Sequence, residues 1–175
     1  MNRNLKFRWL KAVVALPLPV IVLIPAGLLY VFRDGRWAHS VSSPHDAGLW
    51  IALMIGIAGA TLSAWSVSVF VRLGEGTAAP WDPPGKFVAR GPYCFVRNPM
   101  ILGVILFLFS ESLTLRSWPL FAWFMIFMTA NLLYIPLVEE KGLARRFGET
   151  YLEYKKNVPR WIPRLSRWQQ TKTNA

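Results

Sequence analysis

Two short stretches hold the residues best suited to chemistry. The first is Gly91-Pro92-Tyr93-Cys94-Phe95-Val96-Arg97-Asn98-Pro99-Met100. Asn98 suits a helix N-cap and Pro99 the first helical position. A helix starting there turns free backbone N–H groups and the positive end of its dipole outward, and such an end accepts a carboxylate or a phosphate. The plainer alternative is an ordinary helix start, with Arg97 anchored on lipid headgroups. The second stretch is Val138-Glu139-Glu140-Lys141-Gly142-Leu143. Adjacent carboxylates repel, and at the C-terminal end of a helix they also face the negative end of its dipole. A local conflict of this kind points to function, here the receipt of a cation. Neighbours on a helix point about a quarter-turn apart, so one of the two is expected to line a pocket. The alternative is that both pair with Lys141, Arg145 and Arg146.

Other candidates carry less. Gly74-Glu75-Gly76-Thr77-Ala78-Ala79 fits a loose G-x-G-x-x-A pattern. No strand precedes it, and Pro80 with Pro83-Pro84 stops the helix that a dinucleotide site needs, so it reads as a linker. The single Cys94 cannot form an internal disulfide and reads as a small buried residue rather than a catalytic thiol. His39 and His45 stand alone in one short loop, so no metal site is expected.

The elements that must position these residues are membrane helices. More than half of the 175 residues are hydrophobic, with 9 Trp and 11 Phe, a load that a soluble domain of this size rarely carries. Four apolar segments stand out, at 12–32, 49–71, 100–116 and 118–138. The first, second and fourth are long enough to cross about 30 Å of hydrocarbon. The third fades near Leu115 and contains Glu111. It either extends past Ser117 or turns tightly there into the fourth. Pro17, Pro19 and Pro25 should kink the first segment. That segment is too long for a signal-peptide core and lacks a small-x-small cleavage site after Tyr30, so a retained helix is expected.

Charge sets the orientation. The net charge of +11 lies between the apolar runs, which favours a membrane surface over nucleic acid as the partner. Of the 20 Lys and Arg residues, all but Arg33, Arg36 and Arg116 fall in the N-terminal tail, the second-to-third loop and the C-terminal tail. The positive-inside rule then places both termini and the middle loop in the cytoplasm, in an inner membrane. In the tail, Leu143, Phe147 and Tyr151 recur at four-residue steps with Tyr154 three further on, among basic residues. That spacing predicts an interfacial amphipathic helix, kinked near Gly148 and ended by Pro159 and Pro163. The expected fold is all-α and polytopic: four or five transmembrane helices in one domain over 1–175, with a cytoplasmic amphipathic C-terminal helix.

Together the two stretches resemble one family. Gly91-Pro92-Tyr93 through Arg97-Asn98-Pro99, then Gly103, is similar to the signature G-x-Y-x-x-x-R-H/N-P-x-Y-x-G. Glu139-Glu140, Phe147-Gly148-x-x-Tyr151-x-x-Tyr154 and Val158-Pro159 resemble its closing E-E…F-G-x-x-Y-x-x-Y…V-P. This is the isoprenylcysteine carboxyl methyltransferase superfamily, which includes phospholipid methyltransferases, and the similarity spans a core over 86–163. It implies an S-adenosylmethionine-dependent methyltransferase acting on a lipid-like small molecule or prenylated acceptor, with the cofactor held at the cytoplasmic membrane face and no Rossmann domain. Carried over by position, the cofactor contacts would be Phe87, Val88, Tyr93, Asn98, Pro99, Met100 and Ile101, with Glu139 and its neighbour Glu140. Arg97 is the candidate substrate contact. A cofactor carboxylate suits a helix N-terminus, and an ammonium or sulfonium suits a glutamate.

Three departures matter. Asn98 stands where the family commonly has His, and Ile101 where it has Tyr. Ile135 stands where the prenylcysteine enzymes have an Arg that holds the substrate carboxylate. The last argues against a prenylcysteine carboxylate and leaves an amine, a phenol or another lipid group. No base candidate stands out. Two rival readings remain: a non-catalytic membrane protein that binds a lipid or a partner helix, and a reductase. Sterol reductases resemble the superfamily distantly in their C-terminal part, and they are far longer.

Overall fold

The computed structural model describes residues 18–34, 40–73 and 87–169, and all the regular structure among them is helical. His39, the Gly74–Ala79 linker and residues 12–17 of the first apolar segment lie outside the described residues. The chain enters through a π-helical turn, Pro19–Leu23, that runs into α1, Ile24–Val31. Pro25 has no N–H and its ring crowds the carbonyl four residues back. The helix answers by widening: the Ile24 N–H reaches back five residues to the Pro19 carbonyl. The kink expected of this segment takes that form.

α2, Ala47–Leu73, contains the second apolar segment and, at about 1.5 Å per residue, rises about 40 Å. α3, Pro99–Thr114, rises only about 24 Å. It ends in a tight turn in which Arg116 takes a positive φ and the Ser117 hydroxyl caps α4, Trp118–Tyr134, by accepting from the Leu120 N–H at 3.5 Å. The third segment therefore closes a hairpin with the fourth and does not run past Ser117. Among the described residues, two helical stretches are long and apolar enough to cross a bilayer, one of them continuous from Trp118 to Asn157; Pro19–Val31 and Pro99–Thr114 are shorter.

That continuity corrects one expectation. No helix ends at Glu139-Glu140. Pro136 lacks an N–H and crowds the Leu132 carbonyl, and the chain widens into a second π-helical turn, Ile135–Glu139. The Glu140 N–H bonds the Ile135 carbonyl and α5, Glu140–Asn157, carries on. The supposed conflict with a helix C-terminus does not arise. α5 bends at Gly148, whose φ of 53° favours glycine.

α2 and α3 pack through small residues. A Cβ on Gly59 would stand 2.6 Å from the Gly103 carbonyl oxygen, and one on Gly103 would stand 2.5 Å from that of Gly59. The Ser110 hydroxyl donates to the Ala52 carbonyl at 2.6 Å, and the Ser63 hydroxyl to the Met100 carbonyl at 3.0 Å. Close backbone approach and hydroxyl bonds are how helices associate where lipid supplies no hydrophobic drive. Val104, Ile105 and Leu108 of α3 pack with Phe124 of α4 against Val20 and Ile21. A separate core lies at the polar end, where Tyr151, Tyr154, Val158 and Trp168 pack with Phe87 and Phe147.

Candidate functional site

The loop that precedes α3 is built before any ligand is considered. Gly91 has a φ of 59°, and a Cβ there would meet Val69 at 3.1 Å, so the turn needs glycine. Pro92 opens a short 3-10 turn whose carbonyl accepts the N–H groups of Phe95 and Val96. Cys94 is buried, and its thiol donates to the Ala89 carbonyl at 3.2 Å. It is a packing residue. The Tyr154 hydroxyl donates to the Tyr93 carbonyl at 2.8 Å.

Behind this loop lies a strap, residues 158–168. The Arg97 N–H bonds the Pro159 carbonyl at 2.9 Å. The Arg164 N–H bonds Phe95 at 3.0 Å, and the Trp168 N–H bonds Cys94 at 3.1 Å. Trp168 is buried with its ring 5.3 Å from that of Tyr154. The C-terminal segment thus runs alongside the loop that begins α3.

Charge is concentrated on one buried carboxylate. Glu140 is 3% exposed, and both its oxygens accept. Oε1 takes Arg97 Nη1 at 2.7 Å and Arg160 Nε at 2.6 Å; Oε2 takes Arg160 Nη2 at 3.0 Å and Lys155 Nζ at 3.0 Å. Burial alone would raise its pKa, but the hydrogen bonds from Arg160 and Lys155 and the charges of Arg97 and Arg160 hold it below the usual carboxylate value. The same pairing raises Arg160. At Glu140 these cations stand in place of Lys141, Arg145 and Arg146, which the alternative reading named. Glu139 keeps solvent access, but the protein packed around it and then the Glu140 charge push its carboxyl above the usual value, and its charge reaches Tyr93. Burial first, and that charge second, push the Tyr93 hydroxyl well above its ordinary value, so it stays protonated as a hydrogen-bond donor. Tyr151 is pushed up to about 12, mainly by burial and then by Glu140. None of these phenols is a base near neutral pH.

Asn98 stands at the N-cap of α3, but its side chain makes no capping bond; its carbonyl accepts from Leu102. Asn98 Nδ2 is buried and has no partner, and neither has Arg97 Nε. Buried orphan donors are costly unless a ligand or water completes them. Pro99 is fully buried, Met100 offers its carbonyl to Ser63, and Ile101 packs on the membrane core. Val88 is buried, and Phe87 meets the Tyr154 ring edge-to-face at 5.0 Å and the tilted Phe147 ring at 5.5 Å, so both are held by packing. The loop therefore carries Tyr93, Arg97 and Asn98, of which Arg97 is tied directly to Glu140 and Tyr93 feels the charge of Glu139. Ile135 is 1% exposed and turned into the protein.

Three participants escaped sequence reasoning: Lys155, Arg160 and Trp168. Val158-Pro159 belongs to the closing motif, and Arg160 follows it directly. Its partner lies 20 residues back, beyond the reach of any local pattern.

The model of the phospholipid methyltransferase family matches residues 47–150, from the start of α2 to the middle of α5. The chain belongs to the phospholipid methyltransferase family. A methanethiol S-methyltransferase of Bradyrhizobium diazoefficiens is 36% identical over 73 residues, 42% of this chain and 27% of that protein. A steroid 5-alpha-reductase of Solanum lycopersicum is 27% identical over 136 residues, 75% of this chain and 51% of that protein, and is a distant relative. The chain spans between about a quarter and a half of the length of these curated relatives. The family's matched region includes both candidate stretches but not the strap. The matched region takes in Ala47–Leu73 and most of Trp118–Asn157, the two described stretches long and apolar enough to cross a bilayer.

Proposed function

We propose that the chain is an integral-membrane methyltransferase that uses S-adenosylmethionine at the cytoplasmic face and transfers the methyl group to a lipid-like small molecule. One observation carries the reading: Asn98 Nδ2 and Arg97 Nε are buried without partners at the start of α3, in a loop tied to the acidic pair. Two donors beside a helix start suit a carboxylate, and the accessible carboxylate of Glu139 suits a cation. That donor set fits an amino-acid-bearing sulfonium cofactor, which supplies an already activated methyl group. Phe87, Val88, Tyr93, Pro99, Met100 and Ile101 would form its walls, largely through backbone. Glu140 serves differently, holding Arg97, Lys155 and Arg160 in place.

Since the methyl is activated by the cofactor, this chain's task is alignment and exclusion of water. Tyr93, held neutral, can orient an acceptor atom as a donor. An amine, hydroxyl or thiol acceptor loses its proton on transfer, and the Glu139 carboxylate, whose charge acts on Tyr93, could receive it. The buried Ile135 supplies no cation for a substrate carboxylate, and the buried unpartnered donor of Arg97, Nε, is already assigned to the cofactor, which disfavours a prenylcysteine acceptor. A small thiol is a second reading, favoured by the similarity to a methanethiol S-methyltransferase.

The test is binding of radiolabelled S-adenosylmethionine to purified protein in detergent, then methylation of phosphatidylethanolamine, a short-chain thiol and N-acetyl farnesylcysteine in parallel. Absence of cofactor binding would leave a non-catalytic lipid- or partner-binding role. Efficient methyl ester formation on the prenylcysteine would refute the substrate argument.

A further inference from the structure

The strap carries two features that site geometry does not use. Ile162 is 79% exposed and Leu165 is fully exposed, and Arg160, Arg164 and Arg167 are interleaved with them. Scattered exposed apolar residues are ordinary, but two within four residues, flanked by arginines, are the composition of an interfacial anchor.

Two contacts set the depth of the segment. Trp161 packs against the cluster of Val104, Leu108 and Phe124, which belongs to the membrane helices α3 and α4. Arg164 bonds the backbone at Phe95, four residues before α3 begins at Pro99. The strap therefore lies where the helices meet the headgroups. A bilayer there would cover Ile162 and Leu165, and its charge decides which bilayer. Arg167 and Lys156 are exposed, and nine of the chain's 20 cations lie from Lys141 onward. Cations at that level favour anionic headgroups.

We propose that the segment Pro159–Trp168 seats on an anionic leaflet, with Ile162 and Leu165 in the lipid, and that this seating braces the loop 93–97 through its three backbone bonds. Lipid composition would then tune the rigidity of the candidate site. The inference goes beyond methyl transfer and does not depend on it.

The experiment uses the full chain in nanodiscs of phosphatidylcholine alone, or with phosphatidylglycerol added. A spin label on Leu165→Cys reports depth, since Cys94 is buried and leaves the introduced thiol as the reactive one. We expect relaxation by oxygen to exceed that by an aqueous nickel chelate, more so with phosphatidylglycerol. Hydrogen exchange at the Arg97 and Trp168 amides should slow in the anionic discs, and Arg167→Gln should remove about fivefold of that slowing. A label governed by the nickel chelate in both discs would overturn the seating. Exchange that ignores lipid charge would overturn the bracing. Label–label broadening that grows with protein concentration would overturn the proposal in favour of a second copy covering the strap.

Discussion

Arg97 and Glu140 stand 43 residues apart in the chain and meet at 2.7 Å, one at the start of α3 and the other where α4 passes into α5. This contact joins the two candidate stretches into one structure. It also separates the roles of two adjacent glutamates, one enclosed by cations and one open.

Breaking the enclosed carboxylate should therefore cost stability. Glu140→Gln leaves Arg97, 11% exposed, without its charge partner. Loss of a buried pair of this kind costs about 3 kcal/mol. A clearly lowered melting temperature in detergent is expected. Glu139→Gln should leave melting unchanged.

Acid should act through the same group. The folded-state pKa of Glu140 is lowered, so its contribution to stability is fully present above the ordinary carboxyl value of 4.5 and is lost as pH falls through the lower folded value. Melting temperature measured downward from pH 6 should fall on the acid side, and Glu140→Gln should flatten that limb. An identical acid limb in the variant would assign it to other groups.

Cofactor affinity should separate from stability at Asn98 and Glu139. Asn98→Ala removes a buried donor that has no internal partner, so the fold should keep or gain stability. Affinity for S-adenosylmethionine should nevertheless fall on the order of tenfold, as it should for Glu139→Gln, each having lost a hydrogen bond to a charged group. Isothermal or filter-binding titration reads this directly. Unchanged affinity in both variants would move the cofactor elsewhere.

The α2–α3 contact should not accept side chains. Gly59→Val places its new carbons within about 3 Å of the Gly103 carbonyl and the Phe107 backbone N, and backbone cannot move aside cheaply. Overpacking of this sort costs about 1–3 kcal/mol. Reduced yield of folded protein and a lower melting temperature are expected, while Gly142→Ala, at an open position, should be silent.

Orientation is open to direct test. Reporter fusions after Ala175 should score as cytoplasmic and fusions near His45 as external. The reverse would move the site to the other face of the membrane.

By itself the sequence determined the helical class, the apolar segments, the kink at Gly148 and the family signature. Each of these is local. A run of apolar residues needs no partner to be recognised, glycine at a left-handed turn is required by its own backbone, and motif residues keep their spacing wherever the chain goes. Only the tertiary structure decided which carboxylate is enclosed. Glu139 and Glu140 are chemically identical neighbours, and what separates them is the approach of Arg97, Lys155 and Arg160 from other parts of the chain. In sequence, the acidic pair reads as the end of a helix. A proline in a membrane helix can instead widen it by one residue and let it continue, and packing selects between the two. The strap was invisible for the same reason. Its hold on Phe95 and Cys94 is made by backbone groups, which every residue carries and no side-chain pattern announces.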